Sequence, residues 1–160
     1  MDVTFPNRLI DALCKHRVDF VVIGGLAVNY HGYVRATEDT DIVFLRTEEN
    51  EVRLAAVLSS INASWISNEI DLATGIEQTF PVTLEFVRAS SLMMLVTEFG
   101  FLDIFDFIPG LAQASVQELY DTADEYDGVR FSSLRWLRAM KQASNRSKDQ
   151  EDLASLPQDR

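Results

Sequence analysis

The segment Val21–Phe44, VVIGGLAVNYHGYVRATEDTDIVF, narrows the folds open to this chain more than any other. Val18 to Ile23 is a run of β-branched and aromatic residues, the pattern of a buried strand. Gly24 and Gly25 stop that run. Leu26 to Tyr30 then reads as a short helix, with His31-Gly32-Tyr33 as its exit. Thirteen residues separate Gly25 from Asp39, and Asp39-Thr40-Asp41 leads into a second strand, Asp41 to Leu45. Strand, glycine turn, helix and acid-opened strand in this order predict a mixed α/β or α+β domain.

The two acids carry chemistry. At positions i and i+2 of an extended segment, Asp39 and Asp41 point to the same side. Two carboxylates on one side repel unless a cation lies between them, and hard oxygen ligands favour Mg²⁺. Taken alone, the pair reads as a solvated acidic turn before it reads as a metal site. Gly24 and Gly25 allow close backbone approach and free amides at a helix start, a seat for phosphate, or simply a tight turn. The segment matches neither G-x-G-x-x-G nor G-x-x-x-x-G-K-[ST], so the dinucleotide fold and the P-loop lack their fingerprints.

Along the rest of the chain, Leu9, Ile10 and Leu13 form a helical stripe over residues 6 to 17, opened by Pro6. Glu48 to Ile61 is a helix with acids in its first turn and Val52, Leu54, Ala55, Val57 and Leu58 facing inward. Residues 62 to 80 give no clear pattern. Pro81 to Arg88 reads as a short helix. Leu92–Thr97 and Phe101–Phe107 form a hairpin about Phe99-Gly100. Val116 to Ala123 is helical, and Tyr126 to Phe131 is a short strand with a turn at Asp127-Gly128. Ser132 or Ser133 caps a helix to about Gln142, and Lys148 to Leu156 forms a further one.

Composition excludes several functions. Of 160 residues, 14 are Lys or Arg and 25 are Asp or Glu, a net charge of -11, the wrong sign for coating nucleic acid by bulk charge. Five of the 14 basic residues, Arg135, Arg138, Lys141, Arg146 and Lys148, fall within 14 positions and make a local cationic patch. That patch suits a triphosphate or an RNA phosphate, or else a solvated face neutralised by Asp149, Glu151 and Asp152. Cys14 is the single cysteine, which excludes an internal disulfide or a Cys-based zinc site and is expected as a small buried thiol. The best apolar run, Phe20 to Val28, is far short of a bilayer span of roughly 20 residues. Met1 to Thr4 lacks the start of a signal peptide. A cytoplasmic protein with no membrane partner is the expectation, organised as one domain over 1–160 with a helical tail from about 133.

Strand, Gly-Gly, helix and Arg35-Ala36-Thr37-Glu38-Asp39-Thr40-Asp41 together resemble the nucleotidyltransferase fold of the DNA polymerase β superfamily. Gly100-Phe101-Leu102-Asp103-Ile104, Ile108-Pro109-Gly110 and the tail Met140-Lys141 … Asn145-Arg146-Ser147-Lys148-Asp149 extend the likeness to small stand-alone bacterial nucleotidyltransferases. These are similar to AbiEii-type toxins and lincosamide-modifying enzymes. The resemblance implies a small mixed sheet flanked by helices. Gly24 and Gly25 would hold a nucleoside triphosphate, helped by Arg35, Thr37, Lys141 and Lys148. Asp39 and Asp41 would hold two Mg²⁺ ions, with a third acid on a neighbouring strand. Asp103 is an acid in an otherwise apolar strand and fits that place; Asp106, on the opposite face by alternation, is its rival.

The implied activity is transfer of a nucleoside monophosphate from the triphosphate to an acceptor hydroxyl on a tRNA, a protein or a small molecule. A non-catalytic module, such as one half of a toxin–antitoxin pair bound to a partner protein, is the alternative. A two-metal phosphatase or nuclease is a third reading. Arg35 meets a phosphate or braces its loop, and Thr37 orders the turn into the strand. His16 reads as a solvent-exposed cap and His31 as loop support. Trp65 and Trp136 read as core or lid, and the phenylalanines at 99, 101, 105 and 107 as core.

Overall fold

The computed structural model describes residues 7–157, so the calls on Pro6 and on Met1 to Thr4 lie outside the described residues. Helix α1 (Arg8–Lys15) is capped by Asn7, whose side chain accepts hydrogen bonds from the Leu9 and Ile10 amides. Strand β1 (Phe20–Ile23) follows and is buried on both faces. It runs straight into α2 (Gly24–Tyr30), which begins at the glycines and not two residues later. β2 (Asp39–Phe44) also starts earlier than its apolar run suggests, so both acids lie in the strand itself. α3 (Glu48–Ser60) is opened by Thr47, whose hydroxyl accepts from the Asn50 amide.

The illegible stretch is a hairpin, β3 (Ser64–Ile70) and β4 (Glu77–Pro81), with a register shift between Ile66 and Ile70. Both strands are largely exposed, so neither carries a hydrophobic period. The expected helix from Pro81 is corrected to α4 (Leu84–Ala89). Pro81 ends β4, and Thr83 supplies the cap that starts the helix. β5 (Leu92–Thr97) and β6 (Gly100–Phe105) form the predicted hairpin. α5 (Val116–Asp121), the short hairpin β7 (Asp124–Tyr126) and β8 (Val129–Phe131), then α6 (Leu134–Ser144) and α7 (Ser147–Ser155) complete the order. Ser133, not Ser132, caps α6.

The strands make one eight-stranded mixed sheet in the order β4-β3-β5-β6-β2-β1-β8-β7. β2 pairs antiparallel with β1 and parallel with β6, and β1 pairs parallel with β8. Period-two alternation divides the sheet into two faces. Phe20, Val22, Ile42, Phe44, Met93, Leu95, Leu102 and Ile104 pack under α1, α3 and α4 in the larger core. Val21, Ile23 and Val43 point the other way, against Leu119 of α5 and Trp136 and Met140 of α6. Ala27 and Val28 of α2 pack on Leu137 and Leu156, which fixes the C-terminal helices beside the glycine turn.

On β5 and β6 the second face stays open: Met94 is 63%, Phe101 53% and Leu92 44% exposed. Phe101 is therefore not core, which corrects the expectation, because it lies at the end of this face that α5 and α6 do not cover. Val52 is likewise 49% exposed, one step off the stripe Leu54, Val57, Leu58 and Ile61 that α3 buries. The inward place on that stripe goes to Asn50, which donates to the Leu45 carbonyl at 2.6 Å and accepts from the Asp19 amide at 2.8 Å. Cys14 is only half-buried, because it sits at the edge of the α1 stripe. Trp65 stacks on Phe80 and Phe86, and Trp136 is buried, both structural as expected.

Candidate active site

β2 and β6 run parallel and in register, so Asp41 lies directly beside Asp103, and Asp39 beside Phe101. Alternation sends Leu102 and Ile104 into the large core and leaves Asp103 on the second face, with Asp39 and Asp41. The rival, Asp106, lies beyond the end of β6 and is held by Arg46, whose Nε donates to it at 2.9 Å. Arg46 also donates to Glu51 and to the carbonyls of Val87 and Ser90, so it knits the loop on the far side.

A cavity of about 640 Å³ opens over the acids. Gly24, Gly25, Arg35 and Thr37 line it together with Asp39, Asp41 and Asp103, and Lys141 and Lys148 line it from α6 and α7. All nine residues singled out from the sequence thus meet at one place. No side chain caps the start of α2.

The glycines are required by the protein's own side chains. Gly24 has φ +64°, and a Cβ there would stand 2.3 Å from Asp41 Oδ2. A Cβ on Gly25 would stand 2.6 Å from Thr37 Oγ1. Thr37 in turn donates to the Asp39 carbonyl at 3.2 Å, the turn-ordering role expected of it. Gly24→Ala therefore combines left-handed strain with a displaced Asp41. It is expected to lower activity at least about tenfold and stability by about 1–3 kcal/mol, read by steady-state rates and urea melts.

Asp41 and Asp103 are close enough to share a proton. Burial first, then the negative charges of Asp103 and Asp39, push the Asp41 carboxyl up to about 7, against the opposing pull of Lys141. Asp103 is also raised, by burial and by Asp39. Among the described residues, no group of three or more His, Cys, Asp or Glu is placed to hold a metal ion by itself. The donor set nonetheless fits Mg²⁺. Two touching hard-oxygen carboxylates with surplus negative charge, beside an open cavity, are what an ion needs that takes its remaining ligands from water and phosphate.

Behind the cavity wall lies an ion-pair network. The Lys141 side chain is 7% exposed; its ammonium donates to Asp149 Oδ1 at 3.2 Å and stands 3.0 Å from Asp152 Oδ2. Arg35 grips Asp152 with two hydrogen bonds, Nε at 2.8 Å and Nη2 at 2.9 Å. Arg146 donates from Nε to Asp149 at 2.9 Å. Burial pushes the Asp149 carboxyl up, but hydrogen bonds from Arg146, Ser144 and Lys141 outweigh it and hold the group well below the usual carboxylate range. Asp152 is lowered in the same way, with burial overcome by Arg35 and Lys141. Arg35 thus braces its loop through α7, while Lys148 is exposed and forms no ion pair among the described residues.

Of the two readings of the basic patch, the solvated face fails for Asp149 and Asp152, which are buried, and Arg146 of that patch lines the cavity. Their signal was available: two acids three apart share a helix face, within reach of a lysine one helix earlier. His31 supports its loop through a 2.8 Å contact of Nε2 with the Ser132 carbonyl, and His16 caps α1, though half-buried and not exposed as expected. Arg135 pairs at the surface with Glu118, away from the cavity.

No family model matches the chain, and no curated protein is similar to it. Solved structures are. The antibiotic-resistance factor ANT(2'')-Ia, determined in solution, superposes with a TM-score of 0.55 at 16% identity, over 91% of this chain and 77% of that one. ANT(2'')-Ia in complex with adenylyl-2''-tobramycin gives 0.52 at 14% identity, over 92% and 82%. An antigenic nucleotidyltransferase-like protein from Paracoccidioides brasiliensis gives 0.50 at 20% identity, over 92% and 71%. No helix of the described residues is long and apolar enough to cross a membrane. The mixed sheet, its flanking helices and these superpositions agree: the chain has the nucleotidyltransferase fold.

Proposed function

We propose that this chain is a small Mg²⁺-dependent nucleotidyltransferase, of the kind the AbiEii-like and lincosamide-modifying proteins represent. The observation that carries the reading is the register placing Asp41 against Asp103 on the cavity floor, with Asp39 two residues away. Gly24 and Gly25, at the uncapped start of α2, seat the phosphates of a nucleoside triphosphate. Lys148 and Arg146 line the same cavity and neutralise them there. Lys141, fixed by Asp149 and Asp152, brings a positive charge close enough to act on Asp41. Two Mg²⁺ ions held by Asp39, Asp41 and Asp103 would stabilise the attacking and leaving oxygens together.

Asp103, at the edge of the floor away from the glycines, takes the proton of the acceptor hydroxyl. The acceptor oxygen forms a bond to the α-phosphorus, the bond to the β-phosphate oxygen breaks, and pyrophosphate leaves. The superposition on a protein solved with an adenylylated antibiotic lends support to a nucleotide donor and a small acceptor.

The test is transfer from each of the four α-labelled nucleoside triphosphates, read as label incorporation and pyrophosphate release. Both are expected with Mg²⁺ and are expected to fall to background with EDTA. Release of labelled nucleoside monophosphate with pyrophosphate and no labelled acceptor, or release of inorganic phosphate alone, would indicate hydrolysis and overturn the proposal.

A further inference from the structure

Strand β3 joins the body of the sheet through Ser64, which stands opposite Val96 of β5, and Trp65, which stands opposite Leu95. From Ile66 outward β3 pairs with β4 alone, so the two strands leave the sheet as a ribbon. A two-stranded ribbon has little of its own to pack on. This one nonetheless carries Ile66, Ile70, Leu72 and Ile76, which are 45–99% exposed. Large apolar side chains gathered in water at one place mark an interaction surface.

The tip is held by its own hydrogen bonds. The Asp71 amide donates to the Ile76 carbonyl at 2.9 Å, and the Gly75 amide to the Asp71 carbonyl at 2.7 Å. The Ala73 amide donates to Asp71 Oδ1 at 2.8 Å. Leu72 and Ile76 are therefore presented in a fixed place, where docking a partner on them costs little further ordering.

Charge says what covers them. Glu69 and Glu77 are exposed next to Ile70 and Ile76, and Asp71 lies between Ile70 and Leu72. Ile70 stands directly opposite Glu77 across the ribbon. From Leu54 to Val87 the chain has no Lys, Arg or His. An anionic lipid surface or a nucleic acid is repelled by such a segment. A second copy docked about a two-fold axis would set these acids against themselves. A protein surface with an apolar centre and a basic rim satisfies both the exposed side chains and their charge.

We propose that the β3–β4 hairpin is a docking arm for a protein partner that offers an apolar groove rimmed by Lys and Arg. Leu72 and Ile76 fill the groove, and Glu69, Asp71 and Glu77 meet the rim. The arm stands apart from the nucleotidyl-transfer reading, which uses none of these residues.

Isoleucine methyls report on each region in one spectrum. Ile70 and Ile76 lie on the arm, Ile23 lines the cavity of the acids, and Ile42 and Ile104 are fully buried in the core. Random linear peptides displayed on phage are selected on the full chain. Those recovered are synthesised and titrated into the ¹³C-methyl-labelled protein. They are expected to be rich in Lys, Arg and large apolar residues, and to move Ile70 and Ile76 while Ile23, Ile42 and Ile104 stay still. Leu72→Ser combined with Ile76→Ser is expected to weaken binding, read at Ile70, by about tenfold or more. An unmoved Ile42 signal in that variant shows the fold intact. Glu69→Gln combined with Glu77→Gln is expected to remove most of the salt dependence of binding.

Recovered peptides with no excess of Lys and Arg overturn the proposal, as does the failure to recover any that moves Ile70. Movement of Ile23 in place of Ile70 overturns it, because the peptide bases then answer the acids of the cavity. So does movement of Ile70 and Ile76 on dilution of the protein alone, which would make the arm a contact between copies. A stronger response to phosphatidylcholine–phosphatidylglycerol vesicles than to any peptide overturns it as well.

Discussion

Asp41→Asn is expected to abolish nucleotidyl transfer, by about 10³-fold or more, and to raise the melting temperature of the metal-free protein. The two effects have one cause. Asp41 is buried against Asp103 and beside Asp39, and its carboxyl is pushed up to about 7. The folded chain therefore holds a proton there that the unfolded chain releases near the ordinary carboxylate value. Linkage gives the sign: the stability associated with that proton is fully present below about pH 4 and is lost as pH rises through about 7.

Asn carries no charge and loses nothing over this range. In EDTA, the melting temperatures of variant and wild type should separate progressively between pH 4 and 7 and stay apart above it. A gap of about 3 °C or more is expected at pH 8. Mg²⁺ should raise the wild type toward the variant and leave the variant unmoved. Curves that run parallel with pH would show that Asp41 is not under repulsion.

Lys141→Met should be the most destabilising single change in the cavity wall, at about 3–5 kcal/mol. Lys141 is the shared partner of two fully buried carboxylates, Asp149 and Asp152. Removing it leaves each with a single arginine. A fall in melting temperature of about 10 °C is expected. Because the Asp149 and Asp152 pKa values are depressed, their contribution is present above the ordinary carboxylate pKa and is lost as pH falls through the folded values. The deficit of the variant should therefore be largest at neutral pH and shrink in acid. Adding Asp149→Asn and Asp152→Asn to Lys141→Met should recover part of the loss; additive losses in that triple variant would argue that the ion pairs are not the source.

The parts that were legible in the sequence are those where one physical requirement forces one residue type. Gly24 and Gly25 must lack side chains because Asp41 and Thr37 occupy that space. Asp103 stands out because an acid in an apolar strand is costly without a purpose, and parallel pairing with β2 places it beside Asp41. The β3–β4 hairpin was illegible because it packs on little: Leu72, at its tip, is 99% exposed, and most of its residues face water on both sides. The Arg35–Asp152–Lys141–Asp149–Arg146 network was only half legible. Lys141 and Arg146 belong to an evident basic cluster, but that Lys141 turns inward to Asp149 and Asp152 depends on how α7 docks on α6, which no local pattern encodes.

That docking joins residues far apart along the chain: Arg35 and Asp152 are separated by 117 positions. The loop before the acids is therefore braced by a helix that a ribosome makes much later. While α7 is still inside the exit tunnel, Arg35 has no carboxylate to grip and Lys141 has neither of its partners. The nascent chain can pair its central strands and line up its acids, yet still lack a finished phosphate wall. On the proposed function, a chain trimmed of α7 is expected to keep its row of acids but to lose transfer, because Arg35 and Lys141 then have no carboxylates to hold them.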